Sequence, residues 1–197
     1  MNDTLKELHK IGQRSMVSEF IKTLDEPILC EVGVRTGANF DFLLTPNVKT
    51  AIGVDIWRDT GNTGQNDNLY DQDVLDEQYS EVFHKYWGDD RVRLIREFSK
   101  NAAQFFEDET FDFIYVDADH TYDAATEDLE AWYPKLKVGG VLGGHDYISK
   151  EDTIRLGHSV PFGVIDAVTD FRERHGFAEG NFHLTYEAYA SYYMVKE

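Results

Sequence analysis

The feature that most constrains the fold of this chain is residues 111–147, where an apolar run, a segment with helical spacing and a second apolar run follow one another. This order predicts a strand, a helix and a second strand. Asp117 and His120 follow the first strand, and His145 and Asp146 follow the second. Because ligand sites of open parallel sheets form beyond the carboxyl ends of the strands, we expect these four side chains to meet at one active site.

The same alternation of short apolar runs and amphipathic segments continues along the rest of the chain. Strands are predicted at residues 28–32, 50–55, 91–96, 111–116 and 138–142. Helices are predicted at residues 3–25 (two short ones), 74–87, 99–106, 122–136 and 164–175. Ser99 is a candidate cap for the helix at residues 99–106. Alternating side chains predict a terminal antiparallel hairpin at residues 182–186 and 189–195. The predicted fold class is α/β, a Rossmann-like, doubly wound, mostly parallel sheet of seven strands with an antiparallel C-terminal hairpin.

The length of 197 residues predicts a single domain, residues 1–197, with a core of its own. Residues 1–26 are expected to form a helical cap over a sheet edge or over the mouth of the site. Residues 58–73 and 147–160 are long polar segments, and we expect both to be loops on the substrate side. For residues 58–73 a disordered surface loop is an equal alternative.

The balance of charge limits which partners the chain binds. The sequence has 37 acidic and 19 basic residues, which gives a net charge of −18. Nucleic acid and anionic membranes carry charge of the same sign and would be repelled, so neither is expected as a partner. The charge favours a small neutral or cationic ligand, or else reflects high solubility alone.

The single cysteine, Cys30, lies in an apolar run and is expected in the core. One cysteine can form no internal disulfide, which fits a reducing compartment. The N-terminal sequence lacks the basic and apolar regions of a signal peptide, and no apolar run reaches the roughly 20 residues of a membrane span. We therefore expect a cytoplasmic protein.

A glycine turn follows the first predicted strand. Gly33 and Gly37 permit a tight turn and close approach of a ligand, and Thr36 is a candidate cap for the next helix. Asp55 ends the second strand 22 residues after Gly33, a spacing at which an acidic side chain accepts hydrogen bonds from ribose hydroxyls. The pattern predicts a nucleoside-binding turn. The alternatives are an ordinary strand-to-helix turn and a strand-end cap at Asp55.

Five short segments stand out in the second half of the chain. They are Val-Asp-Ala-Asp-His-Thr-Tyr at residues 116–122, Asp-Leu-Glu-Ala-Trp at 128–132, Lys-Val-Gly-Gly at 137–140, Gly-His-Asp-Tyr at 144–147 and Gly-Val-Ile-Asp-Ala-Val at 163–168. The predicted order of strands and helices resembles the class I S-adenosylmethionine-dependent methyltransferases over nearly all of residues 28–197. Within that class the five segments together resemble the small O-methyltransferases of the Methyltransferase 24 type, and they are also similar to sugar O-methyltransferases of the macrocin and mycinamicin kind.

The resemblance implies S-adenosylmethionine as the cofactor and assigns the residues around it. Glu31 and the glycine turn would line its methionine and ribose parts, Asp55 would bind the ribose hydroxyls, and Ser99 would contact adenine. The implied cofactor-binding residues are Glu31, Gly33, Arg35, Thr36, Gly37, Asp55, Ser99 and Asp117.

In the macrolide-sugar enzymes, carboxylates at the ends of the fourth and fifth strands hold Mg²⁺, and a histidine three residues after the first carboxylate is the base. The corresponding metal ligands here are Asp117, His145 and Asp146, and the base is His120; the implied catalytic residues are His120, Asp117 and His145. His145 departs from the pattern, because the relatives have a carboxylate there and Mg²⁺ prefers oxygen ligands. Either the divalent metal differs, or it is weakly held, or it is absent and His145 is itself an acid–base group.

The function implied by the resemblance is S-adenosylmethionine-dependent methyl transfer to a hydroxyl of a small acceptor, such as a sugar or glycan unit. An NAD(P)-dependent oxidoreductase is an alternative, although the glycine spacing differs from the dinucleotide pattern. A non-catalytic nucleoside-binding protein is a second alternative. Aromatic residues on the N-terminal helices and on residues 74–87 belong either to a homodimer face or to the core.

Overall fold

The computed structural model describes residues 3–60 and 71–197, which contain a seven-stranded sheet flanked by helices. The strands are β1 (Ile28–Val32), β2 (Thr50–Asp55), β3 (Val92–Arg96), β4 (Phe111–Val116), β5 (Leu136–Tyr147), β6 (His183–Leu184) and β7 (Ala190–Val195). They lie in the order β3-β2-β1-β4-β5-β7-β6. Strands β1 to β5 pair in parallel, and β7 is antiparallel to both β5 and β6. The predicted fold class and the terminal hairpin are confirmed.

The strand order reverses at β1, because the chain runs outward through β2 and β3 and then returns to the other side of β1 to form β4. In a doubly wound sheet such a reversal opens a crevice at the carboxyl ends of the strands. Gly33 directly follows β1, Asp55 ends β2 and Asp117 directly follows β4. The topology therefore gathers these three residues around one crevice.

Helices cover both faces of the sheet. They are α1 (Asp3–Leu8), α2 (Val17–Ile21), α3 (Phe40–Leu43), α4 (Gln72–Lys85), α5 (Ser99–Ala103), α6 (Tyr122–Trp132), α7 (Lys150–Arg155) and α8 (Val164–Arg174), with 3-10 turns at Arg14–Met16 and Tyr133–Lys135. Alternate residues of β4 enter two apolar clusters, with Phe113 and Tyr115 in one and Ile114 and Val116 in the other. This alternation is the period of a strand buried on both faces. None of the described helices combines the length and the apolar character that a membrane span requires.

The N-terminal segment forms the two short helices that were predicted, and it is tied to the terminal hairpin. The Nε2 of His183 donates to the carbonyl oxygen of Ile11 at 2.6 Å, and the Tyr186 N–H donates to the carbonyl of Gly12 at 2.9 Å. Phe20 of α2 is buried in the core, whereas Phe83 and Trp87 at the end of α4 are exposed. A homodimer through α4 stays a prediction.

Substrate-side loops were predicted at residues 58–73 and 147–160, and the two predictions have different outcomes. The prediction for residues 58–73 falls largely on residues 61–70, which lie outside the described residues. Residues 147–160 contain α7, so the prediction of one continuous loop there is wrong. The hydroxyl of Ser149 accepts a hydrogen bond from the Asp152 N–H at 3.1 Å and thereby caps the helix. Ser149 is therefore the N-cap of α7, which is hard to recognise in the sequence because the whole segment is polar.

Both predicted helix caps are wrong. Helix α3 begins only at Phe40, after Asn39, so that Thr36 lies exposed in the turn before it. Ser99 is already the first residue of α5, which follows Phe98. The Ser99 hydroxyl instead accepts a hydrogen bond from the indole N–H of Trp132 at 2.8 Å. The Ser99 hydroxyl therefore bonds a residue distant in the sequence instead of a backbone N–H at the start of its own helix.

Gly33 allows the turn after β1 to touch the end of β4. Its φ is +91°, and a Cβ at this position would lie 2.0 Å from the carbonyl oxygen of Asp117. Gly88 has a φ of +88° but nothing within 4 Å of such a Cβ. We expect Gly33→Ala to lower the free energy of unfolding by about 2–5 kcal/mol, because a backbone clash adds to the left-handed conformation, and Gly88→Ala by only about 1–2 kcal/mol. Urea unfolding of both variants measures the difference, and equal losses would contradict the close approach.

Candidate active site

The polar side chains that follow β4 and β5 lie together at the carboxyl edge of the sheet. His120 Nε2 lies 2.8 Å from Oδ2 of Asp146. His145 Nδ1 lies 3.3 Å from the same oxygen and 3.7 Å from Oδ1 of Asp117. All four side chains are largely buried. The predicted convergence of these four side chains is confirmed, because β4 and β5 are adjacent and parallel. Their role as an active site stays a prediction.

Asp146 reaches this position through an irregularity in β5. The strand continues to Tyr147, so that His145 and Asp146 lie inside it and not beyond its end as predicted. The pairing of β5 with β7 shifts between Gly144 and Tyr147, and Asp146 has a φ of +56°. A bulge of this kind re-aims a side chain, and aspartate is among the residues that adopt a positive φ most readily. The bulge presents the Asp146 carboxylate, only 7% exposed, to His120.

His120 and Asp146 form a histidine–carboxylate pair with a defined tautomer. Because Nε2–H donates to Asp146, Nδ1 is the ring nitrogen left for accepting a proton. Burial lowers the pKa of His120, but the hydrogen bond and the charge of Asp146 outweigh burial and raise this pKa above its ordinary value. Burial raises the pKa of Asp146, yet its bonds to His120 and His145 hold that pKa well below the ordinary range. The His120 ring also stacks on Phe162, with ring centres 4.4 Å apart.

Arg14 is a site residue that the sequence did not reveal. It lies in the 3-10 turn before α2, and its guanidinium donates to the carboxylate of Asp117. Its Nε–H donates to Oδ1 of Asn39 at 2.8 Å. Burial raises the pKa of Asp117, and the charge of Arg14 opposes that rise. Arg14 and Asp117 are 103 positions apart, and no motif surrounds the arginine, so only the docking of the N-terminal helices brings the two together.

Glu31 lies at the bottom of the crevice with one carboxylate oxygen paired and the other unpaired. The amide of Asn39 donates to Oε1 at 2.8 Å. Oε2 is buried and has no hydrogen-bond partner among the residues that the structure describes. Burial raises the pKa of Glu31 well above its ordinary value. The chain Arg14–Asn39–Glu31 thus links the N-terminal segment to the end of β1 and leaves one acceptor for a further cation.

Asp55 holds the glycine turn in place. Its Oδ2 accepts a hydrogen bond from the Arg35 N–H at 2.7 Å, and its Oδ1 accepts one from the Trp57 N–H at 2.8 Å. The indole N–H of Trp57 then donates to the carbonyl of Arg35 at 2.8 Å. Asp55 therefore does act as the strand-end cap that was one alternative. The ribose role of Asp55 stays a prediction.

The remaining predicted cofactor-binding residues, Arg35, Thr36 and Ser99, do not share one environment. The side chains of Arg35 and Thr36 are exposed, and Arg35 has a φ of +51°. Ser99, the first residue of α5, bonds two residues of α6 through its hydroxyl: the indole of Trp132 and the buried carboxyl group of Asp128. The predicted contact of Ser99 with adenine stays a prediction.

A divalent metal, which the resemblance to the macrolide-sugar enzymes implied, fits these residues poorly. Ligand atoms of Asp117, His120 and Asp146 lie within 4.8 Å of one another, so the group with metal-like spacing contains His120 and not the predicted ligand His145. Asp117 is already paired with Arg14, and one oxygen of Asp146 contacts both histidines. A metal would have to displace these partners.

Comparison with known families identifies the class of protein to which this site belongs. The Methyltransferase 24 family, described as a methyltransferase domain, matches residues 30–147. The match spans more than half of the chain, which therefore belongs to this methyltransferase family. It contains Glu31, Asp55, Asp117, His120 and Asp146. No curated protein matches the chain by sequence.

Solved structures share the fold at low identity. A putative rRNA methylase from Clostridium thermocellum is 14% identical with a TM-score of 0.61, over 92% of this chain and 96% of that chain. A putative caffeoyl-CoA O-methyltransferase from Staphylococcus aureus is 13% identical with a TM-score of 0.60, over 92% and 82%. A spermidine synthase from Thermotoga maritima is 13% identical with a TM-score of 0.58, over 96% of this chain but only 59% of the synthase. These likenesses show the fold alone, and the similarity to the macrocin and mycinamicin enzymes stays a prediction.

The buried Asp128 carboxyl group makes stability depend on pH. Burial raises its pKa to about 7, although the bond from Ser99 lowers it. Because the unfolded pKa is about 3.9, the folded state binds more protons between about pH 4 and pH 7, and stability falls as pH rises through that window. We expect Asp128→Asn, which keeps an acceptor for Ser99, to exceed the wild type by about 1–4 kcal/mol in free energy of unfolding at pH 8 and to show no gain at pH 4.

Urea unfolding at the two pH values measures this difference. Glu19→Gln, which removes an exposed carboxylate on α2, is the matched control and should leave the pH dependence unchanged. A parallel pH dependence of wild type and Asp128→Asn would contradict the raised pKa.

Proposed function

We propose that this chain is an S-adenosylmethionine-dependent O-methyltransferase that transfers a methyl group to a hydroxyl of a small acceptor, such as a sugar or glycan unit. The methyltransferase family supports the reaction class and implies the cofactor. The observation that carries the proposal is Oε2 of Glu31, which lies buried beside the glycine turn and has no hydrogen-bond partner among the described residues. An ionised carboxylate is costly to bury without a cation. The amino group at the methionine end of S-adenosylmethionine would supply that cation.

The residues around the crevice fit such a cofactor. Glu31 would hold the methionine end, and Gly33 lets the turn after β1 lie against the end of β4 without a side chain in between. Asp55 would bind the ribose hydroxyls while it holds the turn. When bound, the cofactor supplies an electrophilic methyl group on a positively charged sulfur.

His120 is the proposed general base. A sugar hydroxyl is a weak nucleophile at neutral pH, so its proton must be removed as the methyl group is transferred. Nδ1 of His120 would accept that proton, while Nε2–H stays bonded to Asp146 and the carboxylate stabilises the imidazolium. His145 would hold Asp146 from the other side. Asp117 would hold the guanidinium of Arg14 in position and would not accept the proton itself.

A small pocket beside the base supports a small acceptor. Its volume is about 230 Å³, and its wall includes Phe162, which stacks on His120, together with Ile148 and Ile165. The paired side chains Lys150 and Asp166 supply polar groups at its edge. Sites for drug-sized ligands are typically larger, about 300–1,000 Å³. The pocket suits a single ring with hydroxyl groups.

The acceptor class is inferred from charge as well as size. One structural neighbour is named as a putative rRNA methylase, but it shares only 14% identity with this chain. The net charge of −18 opposes binding of an RNA backbone. We therefore keep a small hydroxylated molecule as the acceptor, and a cytoplasmic location remains an expectation from the sequence.

Cofactor binding is tested by calorimetric titration of the full chain with S-adenosylmethionine, with NAD⁺ as the control. We expect saturable binding of S-adenosylmethionine alone, weakened about 10- to 100-fold in Glu31→Gln because one charged partner is lost. Glu19→Gln, on the exposed side of α2, should bind like the wild type. No heat at millimolar S-adenosylmethionine, or binding of NAD⁺ instead, would reject the proposed function.

The base is tested with His120→Ala in a methyl-transfer assay on hydroxylated acceptors. We expect a loss of about 10²- to 10⁴-fold in kcat, with the affinity for S-adenosylmethionine retained. Because the pKa of His120 is raised, kcat/KM of the wild type should increase as pH rises through a value above about 6.5. His84→Ala, on the exposed face of α4, is the control. Full activity in His120→Ala would place the base elsewhere.

A further inference from the structure

We propose that Arg14 takes the place of a divalent metal in this site, so that the chain transfers methyl groups without a metal ion. This inference rests on the function proposed above and concerns how charge is balanced at the same site. It is carried by the guanidinium of Arg14 on the carboxylate of Asp117, at the position where the macrolide-sugar resemblance puts a metal ligand.

Arg14 is held from four directions. Its guanidinium donates to Asp117 and Asn39, and its backbone N–H donates to the carboxylate of Glu187 in the terminal hairpin. Its guanidinium carbon lies 5.5 Å from the centre of the Tyr115 ring. The side chain is only 24% exposed, unlike the solvated ion pairs that contribute little. Because arginine stays protonated in proteins, this positive charge is a permanent part of the site.

The carboxylate of Asp146 also contacts other side chains of the chain, the two histidines. Oδ2 of Asp146 lies 2.8 Å from His120 and 3.3 Å from His145. The resemblance puts a carboxylate at position 145, so histidine there removes one negative charge, and Arg14 adds one positive charge. Mg²⁺ needs oxygen ligands with free lone pairs and negative charge. Arg14 therefore cancels one of the two carboxylate charges that would attract such an ion.

In this arrangement the Arg14–Asp117 pair and the His120–Asp146 pair have separate roles. A bound metal would lower the pKa of an acceptor hydroxyl. Without one, proton removal falls to His120 and Asp146. Arg14 contacts Asp117 and Asn39 and not the reacting atoms, so it is a positioning residue that fixes the crevice around Glu31.

The test is a titration of the full chain with Mn²⁺, followed by electron paramagnetic resonance and without cofactor. We expect no one-to-one Mn²⁺ site in the wild type at concentrations up to about 1 mM, the range of weak protein sites. Arg14→Gln should gain one site, at least about tenfold tighter, because Asp117 loses its cation. Arg14→Lys keeps the charge and should still exclude Mn²⁺. Adding Asp117→Asn to Arg14→Gln should abolish the new site.

The proposal can be overturned even if the Arg14 variants do not fold. A one-to-one Mn²⁺ site in the wild type that Asp117→Asn removes would overturn it, as would loss of activity in EDTA that Mn²⁺ restores. Unchanged kcat in EDTA supports it. Calorimetry with S-adenosylmethionine in EDTA separates the two hypotheses, because absence of cofactor binding rejects the proposed function while the Mn²⁺ titration still decides the role of Arg14.

Discussion

The site depends on the register in which β4 and β5 pair. A shift by one residue would turn each side chain of β5 to the opposite face of the sheet, and Asp146 would no longer meet His120. On its other edge β5 has two glycines where tyrosines of β7 pack closely. A Cβ at Gly144 would lie 2.3 Å from the hydroxyl of Tyr192, and one at Gly143 would lie 2.8 Å from the ring of Tyr193. Strand β7 can therefore lie beside β5 only because these two positions have no side chain.

Three carboxylates converge on one crevice, and each is stabilised differently. Asp117 has a guanidinium, Asp146 has two imidazoles, and Glu31 has a single amide. Buried charges without partners are costly, so the distribution of donors decides which carboxylate is open to a ligand. The first two are satisfied within the chain. Oε2 of Glu31 has no hydrogen-bond partner among the described residues, so the amino group of the proposed cofactor would offset the cost of burying this carboxylate.

The strands and the convergence of the histidines and aspartates were predictable because they follow from local periodicity and from the rule for parallel strand ends. The caps at Thr36 and Ser99 were not, since a serine that bonds Trp132 in three dimensions looks like any capping serine in the sequence. Helix α7 was not predicted, because its polar composition is also typical of a loop. The bulge that turns Asp146 and the docking of Arg14 on Asp117 both depend on contacts between distant segments, for which a single sequence carries no signal.

The position of Arg14 has a consequence for how such proteins are compared. The family match covers residues 30–147, which hold the crevice and its carboxylates. Arg14, Phe162 and the terminal hairpin all lie outside it. The matched part thus supplies the carboxylates, while the flanking segments supply the guanidinium on Asp117 and the ring that stacks on His120. Two chains identical at every matched position would still differ in this site if they differed at Arg14 or Phe162, because residues outside the match complete it.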